Sequence, residues 1–211
     1  MMPDQTSEKA EVKMYSDFKS PYAYLAFDPG MTLGQRFNVH VRWIPFQLRL
    51  KGKGERSLYS EYKVKYSYMD ARRWAKPRGL WIRGPLKIYD TTPTAIGGLF
   101  AETQGQLLEF GRMAFKKFFL REFEADQPEA VAGLLADLGM SDRRYLEYLA
   151  GEGRGALRVL PAGGGRGPRV RRALLLVCGR TVLGLRPASV ARAASSGGRP
   201  RHRPQGDGRL R

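Results

Sequence analysis

"DFKSPYAYLAF" runs from Asp17 to Phe27. The residues leading into it, "EVKMYSDF" (11–18), alternate in polarity at the period of a strand. Ser20 is a preferred helix N-cap, and Pro21 suits the first helical position, where its missing N–H is not needed and its fixed φ is already helical. The helix is expected to carry Tyr22, Tyr24 and Leu25 inward and to be interrupted at Pro29-Gly30, either kinking there or restarting around "MTLGQRF". "VHVRWIPFQL" (39–48) reads as a second strand ended by Pro45. Strand, helix and strand in this order form a βαβ unit with a parallel pair.

Beyond "LKGKGERSL" the pattern turns helical. "YSEYKVKYSYMDARRWAKPRG" carries Tyr59, Tyr62, Tyr66 and Trp74, with Asp70 and Arg73 spaced to pair one turn apart. Pro85 and Pro93 are expected in turns ahead of a short helix. "LLEFGRMAFKKFFLREFEAD" is amphipathic, and "DQPEAVAGLLADLGM" offers Asp126 as cap, Pro128 in its first turn and a Val131/Leu134/Leu135/Leu138 stripe. "SDRRYLEYLAGEG" starts at a Ser141 cap and ends at Gly151. About four helices after a βαβ unit suggest a helical insertion into an α/β domain. Two strands do not make a stable parallel sheet, so further strands should follow residue 153.

The net charge of +17 over 211 residues resembles a nucleic-acid binder's until it is located. Residues 154–211 contain fourteen arginines, no lysine and one acid, Asp207, a net of +13. They contain no Phe, Tyr, Trp, Ile, Met or Asn and are dominated by Gly, Ala, Arg and Pro. Only "VRRALLLVCGRTVLGL" has a sustained pattern, so the tail is expected to be largely disordered. It is either an Arg/Gly-rich arm for RNA or DNA or an out-of-frame reading of GC-rich codons.

Several chemistries are disfavoured by counting. The single cysteine, Cys178, allows neither an internal disulfide nor a CxxC pair, and His40 and His202 are far apart in sequence. His40, mid-strand in "NVHVRW", reads as structural. No apolar run approaches the ~20 residues of a membrane helix. The first fifteen residues lack the apolar core of a signal peptide, so a cytoplasmic protein is expected.

Ser20 would sit where free N–H groups and the helix dipole favour an anion. A strand followed by X-Pro-X-X opening a helix is the active-site arrangement of the thioredoxin superfamily, whose cysteines would fall at Ser20 and Ala23. "DFKSPYAYLA" resembles instead the 2-hydroxychromene-2-carboxylate isomerase family and the related kappa-class glutathione transferases, DsbA-like thioredoxin folds with a helical insertion. "RWIPFQL", "YSYMDARRWAKPRGL" and "IRGPLKIYDTTPTAIGGLF" extend the similarity over residues 12 to about 153. The resemblance implies an α/β fold, a thioredoxin-like βαβ unit with a helical insertion, and glutathione as cofactor. Ser20 would hydrogen-bond the glutathione sulfur and favour its thiolate, which adds reversibly to a conjugated small-molecule substrate. Pro21 and Tyr22 would shape the glutathione site; Pro45, Phe46, Trp74 and Pro85 would line its apolar side, although those four read equally well as core or turn residues.

Family members complete the sheet after the insert, with a Gly-Val-Pro turn facing the serine and a strand ending near "GEPFWG". Residues 154–211 contain neither. In the frame that takes the last two bases of each codon with the first of the next, the codons from Val170 allow Phe-Gly-Val-Pro. Those from Arg180 to Leu185 allow Glu-Pro-Phe-Trp-Gly, the middle base being free throughout. The chain is thus expected to divide into a polar segment (1–11), a βαβ unit (12–50), a helical insertion (51–153) and a basic tail (154–211), frameshifted near residues 153–156, with the C-terminal half of the sheet missing or disordered. A thiol-disulfide oxidoreductase relative without redox cysteines and a nucleic-acid binder acting through the tail are the alternatives. No membrane partner is expected; a homodimer is compatible.

Overall fold

The computed structural model describes residues 9–46, 58–159 and 174–176. Strand β1 (Ala10–Ser16) buries Val12, Met14 and Ser16 in alternation, as a strand with one covered face must. Helix α1 (Pro21–Met31) returns the chain to β2 (Val39–Pro45), which pairs in parallel with β1 from Ala10↔Val39 to Ser16↔Pro45. The expected βαβ unit therefore forms. Both strands are slightly shorter than the sequence pattern suggested, and residues 47–50 lie outside the described residues.

Among the described residues six α-helices follow: α2 (Leu58–Ala75), α3 (Thr92–Thr103), α4 (Leu107–Leu120), α5 (Pro128–Asp137), α6 (Asp142–Ala150) and α7 (Glu152–Val159). The last was not foreseen. A short β3 (Leu174–Leu176) pairs in parallel with β1 on the side opposite β2, giving the order β2-β1-β3. This strand after residue 153 falls in "VRRALLLVCGRTVLGL", the one patterned stretch of the tail. The expectation of a disordered tail also fails at residues 154–159, which form the end of α7; otherwise it concerns residues outside those described.

Aromatic packing holds the helices on the βαβ unit. Phe18 meets Trp43 and Phe110 edge-on at 6.0 Å and packs against Phe115 at 4.6 Å. Tyr24 stacks on Phe115 and Phe119, and Phe27 packs on Phe115. Two glycines permit this approach. A Cβ on Gly98 would lie 2.6 Å from the Trp43 ring, and one on Gly111 would lie 2.0 Å from the Phe27 ring.

Four local expectations are corrected. Helix α1 runs through Pro29-Gly30 to Met31. Pro29 has no N–H for the carbonyl of Leu25 four residues back, and that carbonyl accepts instead from Arg78 Nη1 at 2.9 Å. Pro93 lies in the first turn of α3 rather than in a connecting turn. The N-cap of α5 is Gln127; Asp126 turns away to pair with Lys87 at 3.1 Å. Asp70 and Arg73 do not pair, because Asp70 is engaged by Tyr22.

Two substitutions test this packing. Gly111→Ala should gain up to ~1 kcal/mol of helix propensity. It should lose more, about 1–3 kcal/mol, to overpacking against Phe27, so chemical denaturation should show net destabilisation. Arg78→Met should cost about 1 kcal/mol by orphaning the Leu25 carbonyl. In a Pro29→Ala background, where residue 29 supplies its own N–H, that cost should shrink.

Candidate functional site

The turn between β1 and α1 is built around Asp17, which is 2% exposed. Its Oδ1 accepts from the Lys19 amide at 3.1 Å and from the Thr91 hydroxyl at 2.8 Å, and its Oδ2 lies 3.1 Å from Lys19 Nζ. Its backbone carbonyl accepts the Ser20 N–H at 2.9 Å. Thr91 is the N-cap residue of α3 but makes no side-chain cap there; its hydroxyl is given to Asp17 instead. Asp90 takes over, accepting the Thr92 N–H at 3.0 Å.

Ser20 is the N-cap of α1, in extended conformation (φ −90°, ψ 118°), and its Oγ accepts the Ala23 N–H at 3.2 Å. Ser20 is 4% exposed, and among the described residues none accepts its hydroxyl proton. Pro21 occupies the first turn without an N–H, and the first turn has no acidic side chain. A buried hydroxyl proton beside the positive end of an eleven-residue helix suits an anionic or polarisable ligand atom, and a thiol sulfur fits it.

Tyr22 does not turn fully inward as expected. It is half-buried, and its hydroxyl donates to Asp70 Oδ2 on α2 at 2.7 Å. Burial chiefly, then the hydrogen bond to the Asp70 carboxylate and its negative charge, push the Tyr22 phenol up to about 12. Tyr68, also on α2, is pushed up to about 12 mainly by burial; the Arg72 cation opposes this and the Asp17 carboxylate adds to it. Arg72 gives its Nε to the Ile82 carbonyl at 2.9 Å.

The predicted apolar lining is placed less uniformly. Pro45 and Phe46 are buried at the end of β2, where the Phe46 N–H donates to the Ser16 carbonyl at 3.0 Å. Trp74 is 59% exposed on α2, one turn beyond Asp70 and so on the neighbouring surface of that helix. Pro85 is half-buried in the segment joining α2 to α3, beside Gly84, whose carbonyl accepts from Arg121 Nε. His40 is exposed on β2. Ser20 and Tyr22 are thus brought to one helix start, while among the described residues no hydrogen bond or ring pair joins Trp74 or Pro85 to them.

Asp17, Thr91 and the Asp70 contact were missed by sequence reasoning. Asp17 opens the decisive stretch, but nothing in the local pattern marks it as an anchor; its partner Thr91 is 74 positions away. Removing a buried carboxylate that anchors this turn should be costly. Asp17→Ala is expected to lose about 3 kcal/mol by leaving Lys19 without its partner, and Thr91→Val about 1 kcal/mol. Denaturant titration giving equal, small losses for both would refute the anchor.

Comparisons with known proteins bear on the fold. No curated protein matches the chain. A solved structure of 2-hydroxychromene-2-carboxylate isomerase superposes with a TM-score of 0.58 at 21% identity, covering 70% of this chain and 75% of that one. A Nitrosomonas europaea protein provisionally assigned as a protein disulfide isomerase superposes with a TM-score of 0.56 at 15% identity, covering 72% of this chain and 76% of that one. At these identities the likeness is one of fold. The DsbA-like thioredoxin domain family matches residues 11–155, spanning β1, α1, β2 and the inserted helices, and the chain belongs to it.

Proposed function

We propose that the chain is a glutathione-dependent isomerase or transferase of the 2-hydroxychromene-2-carboxylate isomerase type. The observation that carries this reading is the buried Ser20 hydroxyl at the N-cap of α1, its proton accepted by no described residue. Glutathione would supply the thiol that adds reversibly to a conjugated double bond and so permits rotation about it. Ser20 donates to the sulfur, and the positive end of α1 favours the thiolate over the thiol. Pro21 keeps the first turn free of a competing side-chain acid, and Tyr22 borders the site. Pro45, Phe46, Trp74 and Pro85 form the apolar side for a small conjugated substrate. A cytoplasmic location, and a homodimeric assembly where one forms, fit the same reading.

Dithiol chemistry is not favoured. It needs two sulfurs, and the corresponding positions are Ser20 and Ala23. The family match stops at residue 155, next to the abrupt change of composition at 154, which supports a shift of reading frame near residues 153–156. The basic tail is then not a nucleic-acid arm.

Two measurements test the proposal. Resequencing the gene across codons 145–190 is expected to show one base gained or lost, with "FGVP" and "EPFWG" appearing in the corrected frame. In the frame-restored protein, glutathione at about 100 times its dissociation constant should stabilise the fold by ~2.7 kcal/mol, seen as a rise in Tm that Ser20→Ala abolishes. No stabilisation there would remove the glutathione reading. If the frame stands and salt-dependent RNA binding disappears on deleting residues 154–211, the basic arm replaces it.

A further inference from the structure

Tyr22 lies two residues after Ser20, and its hydroxyl crosses from α1 to Asp70 on α2. A phenol has a single proton. Given to a carboxylate at 2.7 Å, that proton is not available to a ligand, and the phenolic oxygen keeps only its lone pairs. The groups acting on Tyr22 are Asp70 and Tyr66, both on α2, and neither supplies a competing positive charge. Arg72 is turned to the Ile82 carbonyl. Two hydroxyl side chains thus stand in the first turn of α1 and its cap, and only the serine's proton is uncommitted among the described residues.

We propose that Asp70 is a positioning residue of the Ser20 site: by taking the Tyr22 proton it fixes the phenol as a hydrogen-bond acceptor and leaves Ser20 as the proton donor at the start of α1. The proposal rests on the reading of Ser20 as the sulfur-binding group. It adds a division of labour. A ligand sulfur is directed to Ser20, and a ligand N–H is directed to the Tyr22 oxygen. Asp70 acts through Tyr22 and does not itself touch the ligand.

The full-length chain, labelled with ¹³C at tyrosine Cζ, provides the test. The Tyr22 resonance is assigned by its loss in Tyr22→Phe, and each variant is checked by far-ultraviolet circular dichroism. In the unsubstituted chain this resonance should titrate at about 12; in Asp70→Ala, which removes both the acceptor and the charge, it should titrate lower, with burial still raising it. Titration in Asp70→Ala that overlays the original would overturn the proposal. So would titration of Tyr22 at the ordinary tyrosine value in the unsubstituted chain, a result that decides the matter even where Asp70→Ala does not fold. In the frame-restored chain with glutathione present, Ser20→Ala should lose the far-ultraviolet absorbance of bound thiolate, and Ser20→Ala with Asp70→Ala should recover part of it, because the freed phenol can donate. A lowered Tyr22 titration without any recovery would place Tyr22 out of reach of the sulfur and overturn its role. Absence of any glutathione effect in the frame-restored chain with Ser20 intact would instead remove the Ser20 reading, leaving the titration to decide whether Asp70 holds Tyr22.

Discussion

Burial of the Asp17 carboxylate is the constraint on which the geometry of the helix start depends. A charge removed from water must be met by donors or it is not tolerated. Asp17 is met by the Lys19 amide, the Lys19 ammonium group and the Thr91 hydroxyl. The first two tighten the turn after β1 on itself, and the third fastens it to the start of α3. Its own carbonyl then holds the Ser20 N–H, so the cap residue inherits its position from the buried carboxylate. The next residue, Phe18, makes the apolar counterpart of this anchor among Trp43, Phe110 and Phe115. Consecutive residues thus fix one turn by a polar tie on one side and a close-packed ring on the other.

The inserted helices are consequently part of the site's scaffold. Helix α1 is gripped along its length: Tyr22 by Asp70, the Leu25 carbonyl by Arg78, Tyr24 and Phe27 by the rings of α4, and Asp28 by Arg112. The Arg78 contact shows how an unfavourable residue is accommodated. Pro29 would leave a carbonyl without its helical donor, and a guanidinium from the insertion replaces it. The exposed Asp28–Arg112 pair adds little by comparison, since water screens both partners.

The chemistry of the helix start follows from how two hydroxyls are partnered. Both belong to the Ser-Pro-Tyr triplet, yet their surroundings differ. Ser20 accepts one backbone N–H and among the described residues gives its proton to none, whereas Tyr22 donates to a carboxylate. The side chain that decides between them lies on another helix, 48 residues along the chain.

Much was legible in the sequence because it depends on neighbours along the chain. Alternating polarity marked β1, Ser20 and Ser141 announced their caps, and the Val131/Leu134/Leu135 stripe marked the buried face of α5. These follow from strand and helix periods and from short-range capping. What the tertiary structure alone decided were the partners of polar groups. Asp126 reads as a cap but pairs with Lys87, and Asp70 reads as the partner of Arg73 but takes Tyr22. Asp17 carries no local mark of the burial it has, and Pro29 reads as a break but is bridged by Arg78. A local pattern specifies which face of an element is apolar. Which donor meets which acceptor depends on the elements that close around it, and those come from distant parts of the chain.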